Sequence, residues 1–323
     1  MFSVIIPLYN KASYIEKAVQ SILSQTFKGY ELIIVNDGST DNSLEIVQQL
    51  NNSTIQQFNI INQSNSGVST ARNNGVKASK YDYIAFLDAD DWWEPDYLYQ
   101  MKQFIENYKQ AGLWAAKYFK VKNGKNIEAN IGLKNNFIMG YIDYFKVYGK
   151  TMWMPFYAPS VIIHKNILLE FNGFKPNLKL GEDFDLWVRI ALKYNIAYLN
   201  KPLVFYNQDV ELKNRAVNSN KVYAPKNNFI FQLSYLKNEE NKNPSLKQLL
   251  DNIRVYNLMN YHIFRKYQKE TKEIIKQVDF KNQPRSVRLK YALPVIILKQ
   301  YYYIRKLASI VKTQLKSFPL SLI

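Results

Sequence analysis

A short apolar run that ends in three acids is the feature that most constrains the fold of this chain. Residues 83–87 are apolar, and they are followed directly by Asp88, Asp90 and Asp91. An apolar run of about five residues bounded by polar residues is typical of a strand covered on both faces. In sheets of that kind, ligands collect at the carboxyl ends of the strands. The run therefore predicts a buried strand that places carboxylates at a binding edge.

The three acids also raise the question of what neutralises them. Neighbouring carboxylates repel one another, so a compensating cation is expected beside them. Ligation by one or two Asp side chains, completed by phosphate oxygens and water, suits Mg²⁺ or Mn²⁺. The alternative is a helix amino terminus, with Asp91 as cap and residues 94–96 as first turn. That alternative leaves Asp88 and Asp90 unexplained, because alternation puts them on the same side of a strand.

Helical and extended patterns alternate along the first ninety residues. Strands are predicted at residues 2–7, 31–35, 55–61 and 83–87, and helices at 13–25, 41–50 and 67–79. Further along, strands are predicted at residues 114–121 and 158–164 and a helix at 139–148. Strand and helix in alternation are typical of a mainly parallel α/β sheet.

Neither the glycine-rich dinucleotide fingerprint nor the phosphate-binding loop occurs in this sequence, so a nucleotide has to be held by other means. Asp37, at the end of the second strand, is a candidate to accept from the imide N–H of a uracil, and Arg72, on the third helix, is a candidate to contact a base carbonyl or a phosphate. The alternatives are a turn role for Asp37 and a solvated helix charge for Arg72.

A second acidic motif opens a helix in residues 181–192. Trp187 and other apolar residues recur there at helical spacing, so Glu182 and Asp183 lie at the helix amino terminus. Free backbone N–H groups and the helix dipole stabilise carboxylates at that position, which makes a structural cap one interpretation. A general base held in place is the other. Asp185 lies outside the apolar face and is predicted to be solvated.

Charge divides the chain into two parts. Of the net charge of +17, residues 1–215 carry +3 and residues 216–323 carry +14. The sequence contains no cysteine, which excludes disulfides and thiolate chemistry and indicates a reducing compartment. No basic leader precedes the first strand, and no apolar stretch reaches the ~20 residues that span a bilayer. We therefore expect a cytoplasmic protein with a boundary near residue 215.

The carboxy-terminal part is predicted to be helical and basic, with one helix over residues 246–276 and a second beyond residue 296. From residue 280 onward there are nine Lys or Arg and no acid. Apolar residues recur there at steps of three and four, at Ile297, Tyr301, Ile304, Ala308, Val311 and Leu315. A basic amphipathic helix suits an anionic membrane surface, which would make the protein peripheral at the inner face of the cytoplasmic membrane. The alternatives are a helix docked on the amino-terminal domain and nucleic-acid binding, which no recognition motif supports.

Five motifs occur in order: Pro7-Leu8-Tyr9-Asn10, Asn36-Asp37-Gly38-Ser39, Ala71-Arg72-Asn73, Asp88-Ala89-Asp90-Asp91 and Gly181-Glu182-Asp183-x-x-Leu186-Trp187. Together they closely resemble family 2 inverting glycosyltransferases with the GT-A fold, over roughly residues 1–210. The resemblance implies an α/β GT-A domain over residues 1–215, with a mainly parallel sheet flanked by helices. Residues 216–323 would then form a basic helical region.

The resemblance also implies a nucleotide-sugar site at the strand ends. Asp90 would ligate the Mn²⁺ or Mg²⁺ that bridges the diphosphate. Pro7 and Tyr9 would line the base, Asp37 would bond it, Arg72 would face the base or the diphosphate, and Asp88 would contact the ribose.

On the acceptor side, Asp183 would be the general base that deprotonates the attacking hydroxyl. Glu182 would contact the donor sugar or the acceptor, and Trp187 would pack the helix or border the acceptor pocket. One departure from the pattern is Tyr206-Asn207-Gln208-Asp209, where many relatives have a Tyr-Arg-x-His segment. Contacts that such an Arg or His makes to phosphate or metal are therefore in question here.

We expect an inverting hexosyl- or N-acetylhexosaminyltransferase that uses a nucleotide-diphosphate sugar, foremost a UDP-sugar. Its acceptor would be a glycan or a lipid-linked precursor in surface polysaccharide or lipooligosaccharide synthesis. A non-catalytic sugar-binding or scaffold subunit is the alternative from another class, and the intact Asp90 and Asp183 count against it. A nucleotidyltransferase is disfavoured by residues 181–183.

Overall fold

The structure is a computed structural model that describes residues 1–53, 58–211 and 222–305. The chain divides into two compact units, Met1–Gln232 and Leu233–Ile323. The predicted boundary near residue 215 lies outside the described residues, and residues 222–232 cluster with the first unit.

The first unit is built on a ten-stranded sheet. Its strands are β1 (Phe2–Leu8), β2 (Tyr30–Asn36), β3 (Asn59–Asn62), β4 (Tyr83–Phe86), β5 (Trp92–Trp93), β6 (Ala111–Lys122), β7 (Lys125–Glu128), β8 (Met139–Ile142), β9 (Val161–His164) and β10 (Asn195–Asn207). Its α-helices are α1 (Ile15–Leu23), α2 (Ser43–Ser53), α3 (Val68–Ala78), α4 (Tyr97–Asn107), α5 (Tyr144–Thr151), α6 (Lys165–Glu170) and α7 (Glu182–Ala191).

The strand order along the sheet is β3-β2-β1-β4-β9-β6-β10-β5. The first four strands are parallel, with Leu8 opposite Asn36 and Ile5 opposite Phe86. Strand β9 runs antiparallel between β4 and β6, whereas β6 and β10 pair in parallel. The α/β prediction is confirmed, and the parallel core consists of the strands that alternate with helices in sequence.

Both faces of this parallel core are covered. Every residue of β1 is buried, as the apolar run at the amino terminus predicts. The predicted apolar face of α1 is also buried, through Ile15, Ala18, Val19 and Ile22. Because β2, β1 and β4 are parallel neighbours, their carboxyl ends meet along one side of the sheet, which we call the carboxyl edge.

Two predicted elements differ from the structure because tertiary contacts override local pattern. Residues 139–148 are not one helix: β8 pairs with β10, and α5 begins only after Asp143, whose carboxylate accepts from Lys146 N at 3.0 Å. An acceptor of this kind caps a helix start. The predicted strand at 158–164 begins with a 3-10 turn over residues 158–160. The predicted third strand begins at Asn59, and its residues 55–57 lie outside the described residues.

The second unit is helical. It contains α8 (Lys237–Lys242), α9 (Pro244–Asn257), α10 (Met259–Phe264), α11 (Gln268–Ile275) and α12 (Arg285–Ala292), and residues 295–305 are also helical. The single helix predicted over residues 246–276 is therefore three helices. The break between α10 and α11 occurs where Arg265 and Tyr267 adopt left-handed backbone conformations, with φ of 51° and 47°.

Two small apolar clusters hold the carboxy-terminal helices of this unit. One joins Val255, Val278 and Val287, and the other joins Met259, Ile263 and Leu298. Of the predicted amphipathic stripe, the residues beyond 305, including Ala308, Val311 and Leu315, lie outside the described residues. Within the described ranges, no helix is both long enough and apolar enough to cross a membrane.

Candidate active site

Two loops at the carboxyl edge are joined by hydrogen bonds. Asn10, in a left-handed conformation just beyond β1, donates through its side chain to Thr40 Oγ1 at 3.2 Å and accepts from Thr40 N at 2.8 Å. The next residue, Lys11, donates its backbone N–H to Ser43 Oγ at 2.8 Å. These bonds fix the backbone of the loop after β1 against the start of α2.

Asp37 is 3% exposed, and both of its carboxylate oxygens accept hydrogen bonds. Its partners are Gln63 Nε2 at 2.7 Å, Ser66 N at 2.7 Å and Gly67 N at 2.8 Å. Asp37 thus anchors the loop that leads into α3, which agrees with the turn alternative, and its contact with a base stays a prediction.

Arg72, on α3, is the centre of the acidic cluster. Its Nη2 lies 2.7 Å from Asp88 Oδ1, and its Nη1 lies 2.9 Å from Asp183 Oδ1 and 3.7 Å from Glu182 Oε1. The side chain is only 3% exposed, so the alternative of a solvated helix charge is wrong. Burial opposes the charge, but Asp88, Asp183 and Glu182 outweigh it and raise the pKa of Arg72. One guanidinium thereby joins the loop after β4 to the start of α7.

Asp183 is held from two sides at the amino terminus of α7. Its Oδ1 accepts from Arg72, and its Oδ2 accepts from Ala158 N at 3.1 Å. Burial raises the pKa of Asp183, although Arg72 works in the opposite direction. For Glu182, burial and the neighbouring Asp183 raise the pKa to about 7. The pair therefore combines a carboxylate held in a fixed direction with pKa values that burial raises.

Residues 88–91, the loop after β4, contain a second ion pair. Lys11 Nζ lies 2.5 Å from Asp90 Oδ2, and Asp91 Oδ1 accepts from Asn207 N at 2.8 Å. Burial raises the pKa of Asp90 despite Lys11, and burial together with Asp90 and Asp88 raises that of Asp91 well above its usual value. Asn207 belongs to the segment that departs from the family pattern, and it contacts Asp91 through its backbone N–H, while its side chain accepts from Asp209 N at 3.0 Å.

Acidic groups exceed basic ones in this cluster. Five carboxylates interact here with the charges of two cations, Arg72 and Lys11. The carboxylates are those of Asp88, Asp90, Asp91, Glu182 and Asp183. The second oxygen of Asp91 is buried without a hydrogen-bond partner. Such an oxygen-rich, acid-rich set fits Mg²⁺ or Mn²⁺. In the ranges that the structure describes, no three or more His, Cys, Asp or Glu side chains are arranged to hold a metal, so a metal bound here would need ligands from outside the protein as well.

The other predicted site residues occupy contrasting environments. Pro7 is buried near the end of β1, whereas Tyr9 beyond it is 45% exposed at the carboxyl edge. Trp187 has no exposed surface and packs edge-on against Phe156 and Phe174. A sugar contact would require this side chain to become exposed, so we regard Trp187 as a helix-packing residue.

The prediction that Asp185 is solvated is wrong. Asp185 is fully buried, with its carboxylate 2.7 Å from Lys175 Nζ and 2.9 Å from Arg189 Nε. Arg189 also donates to the backbone oxygens of Phe171 and Gly173 at 2.6 and 2.9 Å. The turn before α7 folds onto the helix and covers this side, a packing that helical periodicity does not reveal.

Sequence reasoning did not single out Lys11 or Ala158. Lys11 directly follows the first motif, and a lysine just after a strand that ends at a binding edge is a signal that sequence reading can use. The backbone N–H of Ala158 has no such signal, since any residue supplies one and only the fold brings it to Asp183.

The strand order, the flanking helices and the acidic strand end are typical of the GT-A fold. The crystal structure of residues 1–349 of Staphylococcus aureus TarS with UDP-GlcNAc superposes with a TM-score of 0.67 at 20% identity, covering 87% of this chain and 82% of that one. The mannosyltransferase PcManGT from Pyrobaculum calidifontis, in complex with GDP-Man and Mn²⁺, superposes with a TM-score of 0.53 at 14% identity, covering 98% and 79%. The predicted GT-A fold is confirmed.

Sequence comparison identifies the family. Residues 3–161 match the family model Glycosyl transferase family 2. Glycosyltransferase GlyA of Streptococcus pneumoniae serotype 4 is 34% identical over 217 residues, which cover 63% of this chain and 30% of that protein. About half of the chain, residues 3–161, thus matches glycosyl transferase family 2, and four of the five motifs lie within that range. The chain spans about a third of the length of the first curated relatives it matches.

Proposed function

We propose that this protein is a metal-dependent inverting glycosyltransferase that moves a sugar from a nucleotide-diphosphate donor, a UDP-sugar, to a hydroxyl of a glycan or lipid-linked acceptor. Synthesis of surface polysaccharide or lipooligosaccharide is the setting proposed for it. The observation that carries the proposal is the Arg72 cluster. Its guanidinium joins Asp88, in the loop after β4, to Asp183 at the start of α7. The proposed donor site and the proposed general base thus share one ion network. Such a network holds the two sites at a fixed distance, which suits a reaction that joins two substrates.

On the donor side, Asp90 is proposed to hold the metal together with phosphate oxygens of the nucleotide. When bound, the metal would act as a Lewis acid that stabilises the negative charge of the leaving diphosphate. Asp88 is proposed to contact the ribose and Arg72 to face the base or diphosphate, while Pro7, Tyr9 and Asp37 form the base side of the site. The complexes of the similar folds with UDP-GlcNAc and with GDP-Man and Mn²⁺ support a donor and a metal of this type.

On the acceptor side, Asp183 is proposed to take the proton of the attacking hydroxyl. Its two anchors, Arg72 and the N–H of Ala158, leave the carboxylate fixed in direction. Burial that raises its pKa makes it a stronger base than an ordinary surface Asp. Attack on the face opposite the diphosphate is a single displacement, so an α-linked donor gives a β-linked product. Glu182 beside it is proposed to contact the donor sugar or the acceptor.

The acceptor is proposed to lie at a membrane, because the second unit presents an apolar and basic surface. Residues 280–305 contain six Lys or Arg and no acid. Several large apolar side chains of the same segment are exposed, namely Leu289, Ile296, Ile297, Tyr301, Tyr303 and Ile304. Apolar insertion and attraction to anionic headgroups act together on such a surface. We propose peripheral binding at the inner face of the cytoplasmic membrane.

The donor proposal is tested with Asp90→Asn. Calorimetric titration with Mn²⁺ and UDP is expected to show that both ligands bind more weakly, since the cation joins them. The matched control is Asp96→Asn, which removes an acid from an exposed pair with Lys201 and is expected to leave both affinities unchanged. Unchanged metal-dependent UDP affinity in Asp90→Asn would place the metal ligand elsewhere.

Turnover decides whether the protein is an enzyme. We expect the purified chain to hydrolyse one member of a nucleotide-sugar panel slowly, and only with Mn²⁺ or Mg²⁺ present. Donor binding with no hydrolysis and no transfer to any acceptor would favour a sugar-binding subunit instead.

Membrane binding is tested without truncation, because Val287 and Leu298 belong to the core of the second unit. The variant Ile296→Ser/Tyr303→Ser/Ile304→Ser changes only exposed side chains. It is expected to lose the salt-sensitive binding to phosphatidylglycerol vesicles that the parent chain shows. Tyr256→Ser, another exposed position of this unit, is the control and should bind like the parent. Equal binding by the triple variant would exclude this surface.

A further inference from the structure

The ammonium group of Lys11 occupies the place where Asp90 is expected to meet a cation. Lys11 Nζ and Asp90 Oδ2 lie 2.5 Å apart, and the two side chains are 14% and 20% exposed. An ion pair shielded to this degree is stronger than one on an open surface, because less water screens it. Asp90 is therefore paired with a cation from the chain itself.

The lysine is attached to a fixed backbone but has a flexible side chain. Its own N–H bonds Ser43 Oγ, and the N–H of the following Ala12 donates to Asp41 Oδ2 at 3.1 Å. The four-carbon stem of a lysine can move its charge by several ångströms without moving the backbone. Lys11 is therefore placed to leave Asp90 while staying within the site.

The two cations compete for one carboxylate oxygen. A divalent metal bound directly to Asp90 Oδ2 excludes an ammonium group from contact with the same atom, and the two positive charges repel each other. A nucleotide diphosphate brings several negative oxygens to the same edge, and a lysine is a common partner of phosphate. The displaced ammonium then has a new anion to bind.

We propose that Lys11 is a built-in cation that neutralises Asp90 until donor and metal arrive, and that it then moves to the diphosphate. This inference rests on the proposed function, since it needs a metal and a nucleotide diphosphate at this edge. Metal alone binds weakly, because it has to displace Lys11. Metal and nucleotide together bind cooperatively, because the nucleotide receives the displaced charge.

The exchange predicts two opposite changes in Lys11→Met. Mn²⁺ alone should bind about tenfold more tightly, because no ammonium group competes for Asp90, and tenfold corresponds to about 1.4 kcal/mol. UDP should bind the Mn²⁺-saturated variant about tenfold more weakly, because a cation that contacts the diphosphate is missing. Isothermal titration measures both affinities, and neither depends on turnover.

Two further variants serve as controls. Lys102→Met removes the same charge from an exposed pair with Glu106 on α4 and should change neither affinity. Lys11→Arg keeps the charge and should restore UDP affinity towards that of the parent chain. It also keeps the measurement possible if Lys11→Met does not fold.

Each other result has a distinct meaning. Tighter Mn²⁺ binding with unchanged UDP affinity would make Lys11 a static partner of Asp90, and weaker binding of both ligands would make it a support of the loop; either overturns the exchange. If the parent chain binds Mn²⁺ and UDP but Lys11→Met behaves identically, only the Lys11 inference fails. If the parent chain binds neither ligand, the proposed function itself fails.

Discussion

Two acids on one helix show how residues of the same type come to have different roles. Asp183 and Asp185 are two residues apart on α7, and each is bonded to an arginine. The cluster around Asp183 contains more carboxylates than cations, whereas Asp185 contacts two cations, Lys175 and Arg189. The excess of negative charge at the carboxyl edge favours the binding of a further cation, and this distinguishes a candidate binding site from a structural ion network.

The two acids also differ in how far they are exposed to solvent. Asp185 is fully enclosed, and its partner Arg189 ties the turn before α7 to the helix through Phe171 and Gly173. Asp183 keeps part of its surface exposed, beside Glu182 and Asp88. Loss of Asp185 should therefore affect stability, and loss of Asp183 should affect chemistry.

The largest expected effect is on the turnover of Asp183→Asn. Asn keeps an acceptor for the N–H of Ala158 but cannot take a proton, so transfer should fall by about 10²–10⁴-fold. UDP affinity, measured by titration, should change little. Near-normal transfer by this variant would remove Asp183 from the role of base and break the comparison.

A smaller effect, on stability rather than rate, is expected for Asp185→Asn. Removing the carboxylate takes away a buried charge that both Arg189 and Lys175 contact, and the free energy of unfolding in urea should fall by about 3 kcal/mol. Turnover of the folded fraction should persist at low temperature. The control is Glu170→Gln, in an exposed pair with Lys193, which should leave the urea midpoint unchanged. If Asp185→Asn is fully folded but inactive, the ion network around Asp185 is needed for activity as well, and the contrast with the network around Asp183 is wrong.

The smallest expected effect is a shift of the pH profile. The base has to be ionised, so kcat/KM should fall as the pH drops through the raised pKa of the coupled Glu182 and Asp183 pair. Glu182→Gln removes the group of the pair whose pKa is raised to about 7, so this acid limb should move about one unit towards lower pH. Rates across pH 5 to 8 measure the shift. An unmoved limb would show that Glu182 does not influence the base.

Predictions from the sequence succeeded where one residue pattern determines one structure. Apolar runs with acidic or turn residues at their ends gave β1, β2 and β4, and the stripe at residues 15–22 gave the buried face of α1. The predicted secondary structure was wrong at β8, where pairing with β10 decides the conformation. It was also wrong at the break after α10, where a left-handed backbone does so.

The amino-acid sequence by itself determined the α/β alternation, the five motifs and the uneven charge, because these depend on residue type and spacing along the chain. From them follow the fold class, the family and the set of acids around Asp88 and Asp183. Local pattern suffices here, since a strand end is placed at the carboxyl edge wherever parallel strands align.

Only the tertiary structure decided what each charge contacts. Arg72 and Asp183 are 111 residues apart, Lys11 and Asp90 are 79 apart, and Asp185 is enclosed by a turn that periodicity does not predict. An ion pair depends on distance and burial in space, and electrostatic energy changes several-fold between solvent and interior. For that reason the sequence identifies the acids, while the packed structure separates the excess charge of the candidate site from the balanced charge beside it.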